Sequence, residues 1–262
     1  MRRIGFMALF VMGAFAFVSL LDHSDSAAAG TPTTQSGFDN GQQLQIEKIV
    51  HDYLLEHPEV LLEAMQELDK KQASVEKKKQ GAAIASNRAA IYDDPQSFVA
   101  GNPKGDVTIV EFFDYQCGYC KHSFGPLMDT VSSDGHIRLI LKEFPILGPE
   151  SVTASRAAIA SMKQGKYFEF HKALFRHKGG LTDETIMEVA SSVGIDTEKL
   201  KRDMADPKIE ALIKRNYELA DVLAIKGTPG FIIGGKLIPG ALEKDEFAEV
   251  VKDARESCGA NC

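Results

Sequence analysis

The sequence predicts an α/β fold with a helical insertion, and three stretches carry that prediction. Residues 106–115, DVTIVEFFDY, are an almost unbroken run of apolar, β-branched and aromatic residues. Such a run fits a central strand buried on both faces. Residues 151–223 read as helical throughout. Residues 228–240, TPGFIIGGKLIPG, read as a hairpin, with Phe231–Ile233 and Lys236–Ile238 joined by a Gly234-Gly235 turn. A second strand at 136–146 (HIRLILKEFPI) and an amphipathic last helix at 243–257 complete the order. It is strand, cysteine-bearing helix, strand, helical block, hairpin, helix.

The chain begins with Arg2 and Arg3, an uncharged apolar run from Ile4 to Leu21, and then Ala27-Ala28-Ala29. A basic head, an apolar run and a small-residue cleavage site are the parts of a secretory signal peptide, expected over 1–29. The alternative is an uncleaved anchor, although the run sits at the lower edge of what spans a bilayer. Export to the periplasm follows from the first reading. The whole chain carries a formal charge of −7 with a pI near 5.6, and Lys77-Lys78-Lys79 is its single basic cluster, so nucleic acid is not an expected partner. Export also means an oxidising compartment, in which disulfides persist. The four cysteines all follow the leader and form two close pairs, Cys117/Cys120 and Cys258/Cys262.

Residues 30–43 are polar and rich in Gly, Thr and Gln, and read as a flexible lead-in. Residues 44–92 form a helical module and linker. Ile46, Ile49, Val50 and Tyr53 recur at helical spacing, Pro58 starts a new helix, and Leu61, Met65, Leu68, Gln72 and Val75 continue a four–three stripe. The stretch KKKQGAAIASNRAA that follows reads as an exposed helix or a hinge. The stripe has nothing to bury against within the module, so it must pack on the main domain or on copies of itself; copies are expected, because a charged stretch separates it from the domain. The main domain spans 93–257, with the helical insertion at about 150–223. Within it Pro126 predicts a kink, Thr182 an N-cap, Gly194 a stop and Asp206-Pro207 a further cap. Residues 258–262 are a cysteine-containing tail.

The chemistry centres on DYQCGYCKHS, residues 114–123. A C-x-x-C spacing alone permits a metal clamp, a structural staple or a redox pair. Cys117 falls where a strand ends and a helix opens. Unpaired N–H groups and the helix dipole favour an anion there, so Cys117 is the expected attacking thiolate and Cys120 the resolving partner. Lys121 and His122 either add positive potential or face solvent. Glu111 is a charged residue in an apolar strand, costly to bury unless used or paired, and Lys142 is one candidate partner. Cys258 and Cys262 suit a local disulfide, with a metal-binding or auxiliary redox tail as the alternative. A zinc or copper site built from the cysteines and His122 is the competing function; it places a metal between a buried strand and a helix, where structural zinc pairs are seldom found.

EFFDYQCGYC, LKEFPILG, a helical insertion and GTPGFIIGG together resemble the bacterial DsbA-like thiol–disulfide oxidoreductases, over about Pro95 to Ser257. The N-terminal QIEKIVHDYLLEHPEVLLEAMQ is similar to the oligomerising arm of the ScsC-like branch, whose members look like trimeric isomerases or reductases. The resemblance implies a thioredoxin fold with a helical insertion. It makes Cys117 and Cys120 the redox-active disulfide, and Glu111 the acid that shuttles the inner cysteine's proton. It makes Thr228-Pro229 a cis-proline loop that, with Gly118 and Tyr119, meets the substrate. No cofactor is implied. The partners are client proteins with cysteines, a membrane redox protein, and two further copies in a homotrimer. CGYC puts no cation beside the sulfur, where family members with histidine have one, so a less oxidising disulfide and an isomerase or reductase are expected. A monomeric DsbA-like oxidase is the alternative.

Overall fold

The computed structural model describes residues 37–258. The leader expected at 1–29, residues 30–36 of the expected lead-in, and Cys262 of the Cys258/Cys262 pair lie outside the described residues, and the lead-in gives way to helix already at Asn40. The chain divides into two compact units, up to Glu63 and from Ala64.

The first unit is built on α1 (Asn40–Glu56). Asp39 caps it with a reciprocal box: its carboxylate accepts from the Gln42 N–H at 2.8 Å, and the Gln42 amide oxygen accepts from the Asp39 N–H at 3.0 Å. His57 ends the helix ahead of Pro58, as the interruption predicted. Helix α2 (Glu59–Ser86) follows. Along it Leu61, Met65, Leu68 and Val75 are each half or more exposed.

The second unit holds a five-stranded sheet in the order β1-β3-β2-β4-β5. These are β1 (Phe98–Gly101), β2 (Val107–Phe113), β3 (Ile137–Glu143), β4 (Gly230–Ile233) and β5 (Lys236–Pro239). Strands β2 and β3 run parallel, and the other pairings are antiparallel. Every residue of β2 is buried, as an unbroken apolar run demands. Gly234 and Gly235, at φ 55° and 70°, make the predicted turn, because two positive-φ positions match the twist of the strands they join. β1 was not foreseen: four residues are too short for period-two alternation to register.

Helix α3 (Arg88–Tyr92) precedes the sheet, and α4 (Gly118–Asp134) lies between β2 and β3. The predicted helical block is α5 (Pro149–Ser161), α6 (Tyr167–Arg176), α7 (Asp183–Ser192), α8 (Thr197–Asp203) and α9 (Pro207–Val222); α10 (Lys244–Cys258) closes the fold. Thr182 and Asp206 cap α7 and α9 through their side chains, as expected. Arg255 of α10 clamps Asp106 and Asp134 with four bonds of 2.8–2.9 Å, tying α10 to the start of β2 and the end of α4.

The sheet has two buried faces. One, carrying Ile109, Phe113 and Leu141, packs against α4, α10 and the insertion. The other, carrying Val110, Phe112, Ile140 and Ile232, packs against Ile84, Ile91 and Tyr92, and against Leu219 and Ala220 of α9 and Leu223, which caps it. KKKQGAAIASNRAA is a largely exposed helical stretch, as read, and Ile84 is its one buried residue. Ile84 and Ile91 are spaced so that both reach the sheet, and they are only 3% and 0% exposed.

Candidate active site

β2 delivers the chain into the cysteine motif, and α4 begins inside it. Cys117 is the N-cap of α4, with extended backbone at φ −70° and ψ 116°. Its sulfur accepts from the Cys120 N–H at 3.3 Å, the place an N-cap oxygen would occupy. On the other side the thiol donates to the Thr228 carbonyl at 3.2 Å. The Thr228-Pro229 peptide is cis, as the resemblance implied. Cys117 and Cys120 are both present as thiols and both buried, whereas Tyr119 between them is 72% exposed.

The Cys117 thiol is pulled down to about 6. The main cause is the hydrogen bond from the Cys120 side chain; the Thr228 side chain and the N–H groups of Cys120 and Tyr119 add to it and outweigh partial burial. Cys120 moves the other way, raised by burial, by its bond to Cys117 and by Glu111. One cysteine is thus a thiolate at neutral pH, and the other stays protonated. Neither Lys121 nor His122 contributes: Lys121 Nζ donates to the His177 carbonyl at 3.3 Å, and His122 pairs with Glu243.

Glu111 lies on the face of β2 that looks toward the cysteines, two residues from Ile109 and Phe113 in a period-two strand. It is 1% exposed and its Oε2 has no hydrogen-bond partner. Burial, then the charges at Cys117 and Glu143, push it up to about 8. The alternative, a pairing with Lys142, does not form. Lys142 stands opposite Phe112 in the β2–β3 register, which puts it on the other face of the sheet. There its Nζ donates to the Ala90 carbonyl at 2.7 Å and lies 3.8 Å from Asp94.

Two further carboxylates frame the motif, and neither was singled out from the sequence. Asp114 Oδ1 accepts from the Gln116 N–H at 2.8 Å and the Ser151 hydroxyl at 2.7 Å, and Oδ2 from the Leu147 N–H at 2.9 Å. It thereby binds the loop before Cys117 to the start of α5. Glu143 accepts from the hydroxyls of Tyr115 at 3.0 Å, Tyr167 at 2.7 Å and Ser155 at 2.7 Å. Burial raises Glu143 to about 8 against those three bonds. The signal was present in Lys142-Glu143: adjacent residues of a strand point to opposite faces, so two buried charges in a row need two separate sets of partners. Among the described residues, no group of three or more His, Cys, Asp or Glu side chains gathers as a metal would require.

This geometry agrees with known proteins. Residues 93–253 match the thioredoxin family model, and residues 42–74 match the model described as the copper resistance protein ScsC N-terminal domain. A thioredoxin-like oxidoreductase from Silicibacter pomeroyi is 42% identical, with a TM-score of 0.64 over 66% of this chain and 99% of that one. Proteus mirabilis ScsC, in a structure titled as a transitional conformation, is 30% identical, with a TM-score of 0.61 over 83% of this chain and 96% of that one. The Na⁺/H⁺ antiporter NhaA 1 of Salinispora arenicola is 26% identical over 164 residues; the chain spans about a quarter of that protein's length. No described helix is long and apolar enough to cross a membrane. The chain belongs to the thioredoxin family, among its ScsC- and DsbA-like thiol–disulfide oxidoreductases.

Proposed function

We propose that this chain is an exported thiol–disulfide interchange protein that isomerises or reduces disulfides in client proteins. The observation that carries the reading is the sulfur of Cys117, capped by the Cys120 N–H and set 3.2 Å from the Thr228 carbonyl. The Cys117 thiolate attacks one sulfur of a client disulfide. The client S–S bond breaks, a Cys117–client disulfide forms, and the expelled sulfur leaves as a thiolate and takes up a proton. In isomerisation another client thiolate then attacks the mixed disulfide and restores Cys117. In reduction Cys120 does so, forming Cys117–Cys120 while two electrons pass to the client.

For Cys120 to attack, it must lose a proton in a dry site, and Glu111, whose buried Oε2 is without a hydrogen-bond partner and whose charge bears on Cys120, is the base we assign to it. Once Cys117 is in a mixed disulfide, the negative charge that helps hold the Glu111 proton is gone. Glu111 then ionises more readily, at the step that needs a base. Glu111→Gln should therefore slow release of the mixed disulfide more than its formation. It should also stabilise the fold. A carboxyl raised from 4.5 to about 8 loses stability as pH climbs from 4.5 to 8, on the order of 3 kcal/mol at pH 7 for a fully buried group. The melting temperature of the glutamine variant should exceed the parent's by a margin that widens from pH 5 to pH 8. A constant margin would remove Glu111 from this role.

Isomerase rather than oxidase is supported by the arm and by the surroundings of the Cys117 sulfur, which among the described residues include no cation. Leu61, Met65, Leu68 and Val75 on α2 are exposed by 50–62%, a stripe that a homotrimer would cover. Light scattering on the mature chain should give three times the monomer mass. Re-pairing of a scrambled multi-disulfide protein should fall sharply when these four residues become serine. A monomeric mass for the parent chain would instead favour the simple dithiol oxidase.

A further inference from the structure

A trough runs along the outer edge of the sheet, beside the exchange centre but outside the chemistry described above. One hollow of about 450 Å³ lies between Gln80 of α2, the 224–230 loop and Leu237. A second of about 430 Å³ continues from Gln80 and Leu237 along α2 to the hairpin turn at Gly235. The shared residues make it one channel, walled by α2 on one side and by β5, the last strand of the sheet, on the other. Its inner end is Thr228-Pro229, and the Thr228 carbonyl is the group that contacts the Cys117 sulfur.

Two features of the channel are unusual. Its floor is apolar, with Ile84, Ile225 and Leu237, yet the charged residues lining it are all lysines, Lys77, Lys226 and Lys236. No aspartate or glutamate lines either hollow, in a chain whose net charge is −7. The wall is also kept low. Gly81 sits within the 28-residue helix α2, where glycine is the poorest residue short of proline, and a Cβ added there would meet nothing within 4 Å. Gly81 lines the second hollow, and a large side chain there would project into space that the helix leaves open.

We propose that this trough docks an extended, acidic segment of the client, lying next to the client cysteine that reacts at Cys117. The inference rests on Cys117 being the exchange centre. In an extended segment alternate side chains point to opposite sides, so apolar residues can meet the floor while carboxylates between them reach the lysines. The stems of the lysines extend the apolar surface, and their ammonium groups stay near water. The charges select the segment and speed its encounter, while the apolar floor holds it.

The test uses the full mature chain and three ten-residue peptides. Each carries one cysteine as a mixed disulfide with 2-thiopyridine, flanked by glutamates, glutamines or lysines. Release of 2-thiopyridone reports attack by Cys117. The glutamate peptide should react about tenfold faster than the lysine peptide at low salt, with the gap closing as salt rises. The combined variant Lys77→Glu, Lys226→Glu and Lys236→Glu should reverse that order. Gly81→Leu should slow all three peptides, Gly81→Ala should not, and attack on 2,2′-dithiodipyridine should stay at the parent rate in every variant. Equal rates for the three peptides, or a preference that survives the lysine substitutions, overturns the proposal. The Cys117→Ser chain separates this proposal from the reading beneath it. Peptide anisotropy should still show the acidic preference there, so exchange retained by this chain would count against Cys117 alone, and loss of the acidic preference in binding would count against the trough.

Discussion

Replacing Cys117 with serine should abolish disulfide exchange, and replacing Cys120 with serine should leave the chain covalently bound to its clients. The two outcomes differ because the site makes the two sulfurs unlike. Cys117 holds the N-cap position with the Cys120 N–H at 3.3 Å, and at about 6 its thiol is roughly nine-tenths ionised at pH 7. A serine there offers an alcohol that stays protonated, and the rate should fall by on the order of a thousandfold or more. Cys120 is buried and its thiol is raised by that burial. It cannot start the reaction, but it is the internal sulfur placed to end it. Without it, the mixed disulfide waits for an outside thiol. Non-reducing gels of the Cys120→Ser chain should show higher-mass bands that collapse with reductant. Full turnover by both variants on a scrambled substrate would remove the CGYC motif from the mechanism.

Truncation from the N-terminus should have the other large effect, and its outcome depends on where the cut falls. Removing residues 30–92 strips Ile84, Ile91 and Tyr92 from beneath the face of Val110, Phe112 and Ile232. Each buried apolar side chain of that size contributes roughly 1.5–3 kcal/mol. The cut also takes away the Ala90 carbonyl that accepts from Lys142 at 2.7 Å and the Tyr92 carbonyl that accepts from Arg138 at 2.8 Å. Burial already pulls Lys142 down to about 8, and an ammonium left there without its acceptor costs several kcal/mol more. A domain stability of about 5–15 kcal/mol does not survive losses of that size. Removing residues 30–63 leaves all of these contacts in place. The shorter deletion should melt cooperatively within a few degrees of the parent. The longer one should lose its cooperative transition and expose apolar surface. Equal melting of the two would show that the second face of the sheet does not depend on α2 and α3.

How far the sequence revealed this arrangement varies with the kind of interaction. The all-buried strand β2, the hairpin with its paired glycines and the caps at Thr182 and Asp206 were legible because each depends on a local pattern. The N-cap position of Cys117 was legible for the same reason: a strand run met a helix start. Strand β1 was not, because four residues pair with β3 through a register that no local period encodes. Ile84 looked exposed because its neighbours are small and charged. Its burial is decided by β2 and β4, far away in sequence. The Glu111–Lys142 pairing was plausible from charge alone and wrong in geometry, since the parallel register places Lys142 beside Phe112 rather than Glu111. Glu143 and Asp114 were overlooked because their partners, Tyr167, Ser155 and Ser151, come from the insertion. These residues brace the loop into Cys117, and such bracing is invisible until the helices are folded onto it.

The claim on which the account turns is that Cys117 is a thiolate at neutral pH because the start of α4, the Cys120 thiol and the Thr228 loop hold the charge. The direct measurement is the rate of alkylation of reduced Cys117 by iodoacetamide as a function of pH, with Cys120 followed by mass spectrometry of the labelled peptide. The account predicts a midpoint near 6 and no labelling of Cys120 in the folded chain. A midpoint near the ordinary thiol value of about 8.5, or equal labelling of the two cysteines, would contradict it.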